Sequence, residues 1–512
     1  MRHLSAAQVA RLVNVDPGAR PYYRALADGV RNLIMDGQIP VRVRMPAERH
    51  LAEILKVSRT TVTSAYDLLR ERGYLESRQG SGSWTALPDP ATTPDNPWLS
   101  TDGDGLVQLH AAAPPAPSAL RSAMLEAVED LPRYGMGNGY DPIGLPALRE
   151  RIAARYTARG LATRPEQIVV TTGAQHAIQL VFGLLVGPGD PVLVESPTYP
   201  HAIDVARQRS ARIVPVGISH EGWQTDLLIG AMRQSGARLA YLMPDFQNPT
   251  GALMDDATRA AVVGAARRTD TLVLVDETWM ELALDEVPHT SPMGSFDTDS
   301  RVISIGSASK LWWGGLRIGW IRTTAALARR LAVHRSAVDI ASPVLEQLVV
   351  ARLFDRLEET RAERRRTLRA SRETLVAALR EQLPEWTFTV PRGGGTLWVR
   401  LNGDAPNAIA PGSGATRIGP GSGATRIGPG SGATRIAPGS GATPLAEAAA
   451  GHGVRLAPGP WFGLEGTLEG YLRLPYTQPP QVLAEAVTRL RAARDHGPVG
   501  ASRPPDPLIM MV

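Results

Sequence analysis

The chain has 512 residues, with 55 Lys+Arg against 50 Asp+Glu and 43% hydrophobic residues. At ~150 residues per domain this length predicts two or three domains. The absence of cysteine excludes a disulfide framework, thiol catalysis and a Cys-based zinc site, and no metal site is assigned. No apolar run approaches the ~20 residues of a spanning helix, and Met1-Arg2-His3-Leu4-Ser5 leads into a mixed segment rather than an apolar signal core. The expectation is a soluble, cytoplasmic protein without membrane association.

The net charge of +5 is unevenly spread. Residues 20–84 hold 11 Lys+Arg and 7 Asp+Glu, a net of +4, residues 1–19 add +1, and residues 85–512 sum to zero. A nucleic-acid module on a neutral partner gives this asymmetry; a solvated basic face gives it too.

In chain order, Leu26, Val30, Leu33 and Ile34 stand at helical spacing in residues 21–39, ending at Asp36-Gly37. A second helix runs from Pro46-Ala47-Glu48-Arg49 to Leu55. Ser58 caps a third, Arg59 to Arg72, with Val62, Ala65, Tyr66 and Leu69 facing inward. Tyr74 to Arg78 and Ser83 to Thr85 flank Gln79-Gly80-Ser81-Gly82 as a β-hairpin with a glycine-rich tip. Three helices and a hairpin make a winged helix. The third helix presents Ser58, Arg59, Thr60, Thr61 and Thr63, hydroxyls for phosphate and an arginine with the reach for a guanine edge.

Pro21-Tyr22-Tyr23, Met45-Pro46-Ala47-Glu48-Arg49, Val57-Ser58-Arg59-Thr60-Thr61-Val62, Ala65-Tyr66-Asp67-Leu68-Leu69 and Arg78-Gln79-Gly80-Ser81-Gly82 together resemble the GntR-type winged-helix DNA-binding domain, placed at residues 19–86. The resemblance implies contact with double-stranded DNA through Arg49, Ser58, Arg59, Thr60, Thr61 and Thr63, with Gln79 and Gly80 on the wing. Lys56 stands where the family usually has glycine. If that turn needs a positive φ, lysine costs stability there; alternatively its amine meets a phosphate.

Residues 87–105, with Pro88, Pro90, Pro94 and Pro97, have linker composition. From 106 to 497 apolar strands alternate with helices, as in an α/β sheet. The strand candidates are Gln167 to Thr171, Pro191 to Val194, Leu239 to Met243, Leu272 to Val275 and Val302 to Ile305, each followed by a polar or glycine-containing turn. Ligands of open α/β sheets gather at such carboxyl ends.

Those turns carry Thr172-Gly173-Ala174-Gln175, Pro197-Thr198-Tyr199, Asn248-Pro249-Thr250-Gly251, Asp276-Glu277-Thr278 and Ser307-Ala308-Ser309-Lys310, with Arg317 seven residues further on. Lys310 is one of only two lysines beside 53 arginines. Arginine cannot shed its proton in a protein, whereas a lysine amine can be used as a nucleophile. A buried carboxylate at Asp276 needs a cationic partner, and small residues opening a helix at Gly173 present amides to an anion. These parts are what pyridoxal 5′-phosphate requires.

The order of these segments resembles the fold-type I aminotransferases. The resemblance implies that Lys310 forms the internal aldimine and is the catalytic residue, Asp276 pairs with the ring nitrogen, Asn248 bonds the ring hydroxyl and Tyr199 covers the ring. Gly173, Ala174, Gln175, Ser307, Ser309 and Arg317 would surround the phosphate, and Arg473 would grip an effector carboxylate. Relatives often carry a tyrosine two or three residues after that aspartate; here Thr278 and Trp279 stand there.

Residues 405–443 contain Pro-Gly-Ser-Gly-Ala-Thr-Arg-Ile-Gly repeated from Pro411, Pro420 and Pro429, with a fragment from Pro438. One isoleucine per unit is too little to bury, so this reads as an inserted loop. Lengthening a loop from ~5 to ~38 residues costs only on the order of 2 kcal/mol. Residues 498–512 form a tail.

The whole resembles the MocR/GabR subfamily of GntR-type regulators: an N-terminal winged helix-turn-helix (α+β) joined to an α/β fold-type I, pyridoxal-phosphate-dependent transferase domain. The resemblance implies a domain-swapped homodimer that senses pyridoxal phosphate or an amino-acid-like effector. A working aminotransferase with an appended DNA-binding domain is the alternative.

Overall fold

The computed structural model describes residues 5–13, 15, 20–35, 44–78, 82–86, 105–219, 222–401, 441–464 and 468–496. Gln79 and Gly80, the linker 87–104, most of the repeat insertion and the tail lie outside the described residues. The chain divides into two compact units, Met1–Asp102 with Ala113–Arg366 and Pro391–Gly395, and Gly103–Ala112 with Thr367–Val390 and Thr396–Val512.

The winged helix consists of α1 (Ala6–Leu12), α2 (Tyr22–Met35), α3 (Glu48–Leu55) and α4 (Arg59–Glu71), followed by β1 (Leu75–Arg78) and β2 (Gly82–Thr85). Leu26 and Val30 of α2 and Val62, Ala65, Tyr66 and Leu69 of α4 are buried in one core, as their spacing predicts. Each such Leu or Val contributes about 1.5–3 kcal/mol by leaving water. The antiparallel hairpin pairs Leu75 with Thr85 and Arg78 with Gly82. The expected start at residue 19 leaves out α1, whose Ala6 and Val9, with Val13 just after it, are buried in the same core. The helix is only two turns long and offers too few apolar positions for its period to stand out.

The short strand β3 (Val107–Leu109) belongs to the second unit. The first unit continues with β4 (Ile168–Thr171), β5 (Pro191–Ser196), β6 (Arg212–Ser219), β7 (Gly222–Trp223), β8 (Leu239–Leu242), β9 (Leu272–Asp276), β10 (Val302–Ser307) and β11 (Gly319–Arg322). They form one sheet in the order β4-β11-β10-β9-β8-β5-β6-β7. Strands β10, β9, β8, β5 and β6 pair in parallel, and β11 runs antiparallel between β10 and β4, so six strands share one direction. Both faces are buried, which is why these strands read as continuous apolar runs. Val192, Val194, Tyr241, Leu274 and Ile305 pack on one face with the helix Ala174–Leu185. Leu193, Ala240, Leu242, Val273 and Val275 pack on the other with Val262 and Ala266 of the helix Asp256–Thr269.

The second unit is built on β12 (Thr396–Arg400), β13 (Val454–Pro458) and β14 (Tyr471–Pro475), in a sheet of order β12-β14-β13-β3. Among the described residues no helix is long and apolar enough to cross a membrane.

Candidate cofactor site and nucleic-acid interface

The six co-directional strands bring their carboxyl ends to one edge of the sheet, and the segments singled out by sequence follow β4, β5, β8, β9 and β10 there. After β4 the chain turns at Gly173, φ +88°, into the helix Ala174–Leu185. The first amides of such a helix have no acceptor within it and face the turn. A Cβ on Gly173 would lie 2.6 Å from Nη2 of Arg317, and one on Gly319 would lie 2.6 Å from the Gly173 carbonyl carbon. Only glycine lets these backbones and the guanidinium approach so closely.

Arg317 adopts a left-handed conformation, φ +50°, and its Nη2 donates to the Thr172 carbonyl at 3.3 Å. The turn is braced from behind. Arg335 clamps both oxygens of Asp339, the Thr172 hydroxyl donates to Asp339, and the Thr172 amide donates to His176 Nδ1 at 3.0 Å. Burial, only partly offset by Asp339, holds the His176 imidazole down to about 4, so it is neutral near pH 7.

Asp276 ends β9 and is buried. Its Oδ1 accepts the Thr278 amide at 2.9 Å and the Thr278 hydroxyl; its Oδ2 accepts the Tyr241 hydroxyl at 2.7 Å. Burial pushes its pKa up, and the Thr278 and Tyr241 hydrogen bonds and the Lys310 charge oppose that rise. Thr278 is therefore spent on the aspartate rather than on a ring hydroxyl. Trp279 is buried, and Lys310 Nζ lies 5.1 Å from the centroid of its indole, a cation–π contact.

Ser307 is buried at the end of β10, and its hydroxyl accepts the Ser309 amide at 3.1 Å. The segment after Lys310 is held by Arg364, whose Nε donates to the Leu311 carbonyl at 2.8 Å and whose Nη2 donates to the Pro115 carbonyl at 2.6 Å. Asn248 is buried in the loop after β8, and Tyr199 is half-buried in the loop after β5, its ring edge-on to His201. The Asn248 loop is anchored by a fully buried ion pair, Arg259 Nη2 to Asp245 Oδ1 at 2.9 Å, with Arg259 also donating to the Met254, Pro244 and Ser291 carbonyls. These bonds satisfy the guanidinium and make the pair tolerable in a dry interior.

Sequence reasoning missed Tyr241, Glu195, Arg259 and Arg364. Glu195 is buried at the end of β5 and accepts from Trp223 Nε1 at 2.8 Å, the Met243 amide at 3.1 Å and Gln247 Nε2 at 3.1 Å. Burial pushes its carboxyl up to about 7 despite those donors. A hydroxyl or carboxylate inside a buried strand is itself a signal, since such groups require partners.

Arg473, the expected carboxylate grip, lies on β14 of the second unit. It is buried, its Nη2 donates to the His110 carbonyl, and its guanidinium lies 4.8 Å from the Phe462 ring.

On the winged helix, Ser58 caps α4 by accepting the Thr61 amide at 3.0 Å, and its hydroxyl lies 2.7 Å from those of both Thr60 and Thr61. Ser58, Arg59, Thr60 and Arg49 are exposed, Arg49 bridging Glu53 within its helix. Thr63 differs: its hydroxyl donates to Glu48 at 2.7 Å and so engages α3. Lys56 adopts φ +55°, ψ +40°, so the turn does need a positive φ and the condition under which lysine costs stability there is met.

The sequence pattern of the family described as "Aminotransferase class I and II" matches residues 109–490, and that described as "Bacterial regulatory proteins, gntR family" matches residues 22–84. The probable rhizopine catabolism regulatory protein MocR of Rhizobium meliloti is 30% identical over 395 residues, covering 72% of this chain and 78% of that protein. The uncharacterised HTH-type transcriptional regulator YisV of Bacillus subtilis is 26% identical over 416 residues, covering 75% of this chain and 85% of its own. Among solved structures, LysN, an α-aminoadipate aminotransferase from Thermus thermophilus complexed with N-(5′-phosphopyridoxyl)-L-leucine, is 27% identical with a TM-score of 0.63, covering 77% of this chain and 92% of that one.

Fold and relatives together define a DNA-binding regulator built on an aminotransferase-like domain. The chain belongs to the aminotransferase class I and II family, in the MocR/GabR group of gntR-type transcriptional regulators.

Proposed function

We propose that this protein is a transcriptional regulator that binds pyridoxal 5′-phosphate at Lys310 and reports the cofactor, or an amino-acid-like effector joined to it, to the DNA-reading winged helix. The observation that carries the reading is the meeting of a cationic amine, a buried carboxylate and a glycine-lined anion cup at one sheet edge, in a chain that also carries a gntR-type domain. The donor set fits the group. The Gly173 turn, Ser307, Ser309 and Arg317 suit a phosphate dianion, and the Gln175 side-chain amide, whose oxygen is buried without a hydrogen-bond partner among the described residues, would meet it by turning its NH2 donor toward the phosphate. Asp276 suits a protonated ring nitrogen, Asn248 a ring hydroxyl, and Tyr199 a ring face.

When bound, the cofactor supplies an aldehyde for amine exchange and an electron sink. The chain's residues hold and orient it: Lys310 supplies the amine, Trp279 offers the cation a π face, and Asp276 keeps a proton on the ring nitrogen. We assign Arg473 to an effector carboxylate. Ser58, Arg59, Thr60, Thr61 and Arg49 are the DNA contacts, with Gln79 and Gly80 assigned from sequence alone and Thr63 retained as a weaker member because Glu48 already takes its hydroxyl. Sensing requires that the effector bind two arrangements of a homodimer with different affinity, and exchange of domains between the two copies is part of this reading.

Footprinting with genomic DNA, with and without pyridoxal phosphate and a panel of amino acids, tests the proposal. Indifference of affinity, footprint and transcription to all of them refutes it. The aminotransferase alternative rests on the likeness to LysN, and conversion of bound cofactor to its amine form by the same panel, followed by turnover with a keto acid, would favour it.

A further inference from the structure

Building on the cofactor-binding reading, we infer that Tyr241 is the positioning residue that holds the Asp276 carboxylate charged and aimed at the cofactor's ring nitrogen.

Tyr241 of β8 pairs with Leu274 of β9, so Tyr241, Leu274 and Asp276 project to the same face of the sheet, the one covered by the helix Ala174–Leu185. Asp276 lies two residues beyond Leu274, a diagonal that a tyrosine side chain spans. The contact is therefore dictated by strand pairing. Tyr241 is 0% exposed and its hydroxyl meets Oδ2 at 2.7 Å, while Thr278 secures Oδ1. With each oxygen gripped from the protein side, the carboxylate plane is fixed, and its remaining lone pair, on Oδ2, serves a ligand.

The charges around Asp276 make this bond matter. Lys310, following β10, favours the ionised form; Glu195, at the end of β5, opposes it; Ile305, its neighbour on β10, is apolar. Tyr241 in turn faces Asp276, Glu195 and Tyr199, and its own ionisation is strongly suppressed by burial and by Asp276, so it acts as a donor at any physiological pH. A pyridinium proton beside Asp276 would add to the Lys310 charge in favouring the ionised carboxylate. Without the Tyr241 hydroxyl, Asp276 would lose one of the donors that keep it ionised and would take up a proton more readily.

The test uses the full chain loaded with pyridoxal phosphate. Its dissociation constant is measured between pH 5.5 and 9 from the cofactor's visible absorption, for wild type, Tyr241→Phe and protein carrying 3-fluorotyrosine at position 241. The acid limb, where affinity falls as Asp276 protonates, is expected to move up by one to two pH units in Tyr241→Phe, a tenfold to hundredfold change in proton affinity. It should move down with the more acidic fluorophenol, which donates more strongly. A tyrosine that only filled space would lower affinity or Tm evenly, leaving the limb in place; an unmoved limb in a variant that still binds overturns the inference. Should Tyr241→Phe fail to fold, the fluorotyrosine shift alone decides. Wild type that binds no cofactor refutes the underlying site reading, a result distinct from an unmoved limb.

Discussion

Replacing Glu195 by glutamine removes an ionisable group from the dry end of β5, and the sign of its effect follows from linkage. The Glu195 carboxyl is pushed from 4.5 up to about 7, chiefly by burial, although Gln247, Trp223 and Met243 all donate to it. A group whose folded pKa is raised contributes stability that is complete below its unfolded pKa and is lost as pH climbs through the folded value. Both states largely hold the proton at pH 4. Glutamine does not titrate, and its NH2 would face the Gln247 Nε2 donor, a cost that is the same at every pH. Above pH 7 wild type has lost on the order of 3 kcal/mol that the variant does not lose. Guanidinium unfolding of cofactor-free protein from pH 4 to pH 8.5 should show the variant gaining on wild type between about 4.5 and 7. A gap between the two curves that stays constant across that range would mean that the three donors balance burial, and the reasoning would fail.

Other substitutions probe the remaining parts. Lys56→Gly should stabilise the winged helix by about 1 kcal/mol, seen as a higher Tm, because glycine adopts the left-handed turn without strain. Arg259→Leu strands Asp245 without its cation in the interior and should cost about 3–5 kcal/mol in denaturant unfolding. Gly173→Ala forces a Cβ against Arg317 and should weaken pyridoxal phosphate binding at least tenfold by absorption titration, with little change in DNA affinity measured without cofactor.

Much of this was legible in the sequence because both domains declare themselves in local patterns. The inward stripe of α4 and the buried runs of β4, β5, β8, β9 and β10 need only periodicity and length, and the turn residues Gly173, Asn248, Asp276 and Lys310 follow those runs directly. The residues that went unread act through partners distant in sequence. Tyr241 reaches Asp276 only because β8 lies beside β9, Arg364 reaches the carbonyls after Lys310 across 53 positions, and Arg259 steadies Asn248 through Asp245. Strand order decides the first of these meetings and the placement of helices against loops the other two, and no local spacing encodes either. Thr278 illustrates the converse: its departure from the family pattern was visible, but its bond to Asp276 required the turn geometry.

Glu277 marks how tightly the interior beneath the site is built. It is buried, accepts the Tyr156 hydroxyl at 2.7 Å and the Ser304 hydroxyl at 3.2 Å, and burial pushes it up to about 7. Neighbouring Glu277, Thr278 and Ser307 line a cavity of about 20 Å³, enough for one water. The cofactor edge of the sheet is thus backed by packed, hydrogen-bonded structure.

On the proposed reading, occupancy of Lys310 changes how the winged helix reads DNA. The most direct test is the affinity of the full-length protein for its protected DNA fragment, measured by fluorescence anisotropy with and without saturating pyridoxal phosphate, for wild type and Lys310→Ala. Adding cofactor to wild type should change the affinity at least fivefold, the lower end of ordinary allosteric coupling, with no change in Lys310→Ala. Equal affinities in all four conditions, with cofactor binding to wild type verified by absorption, would contradict it.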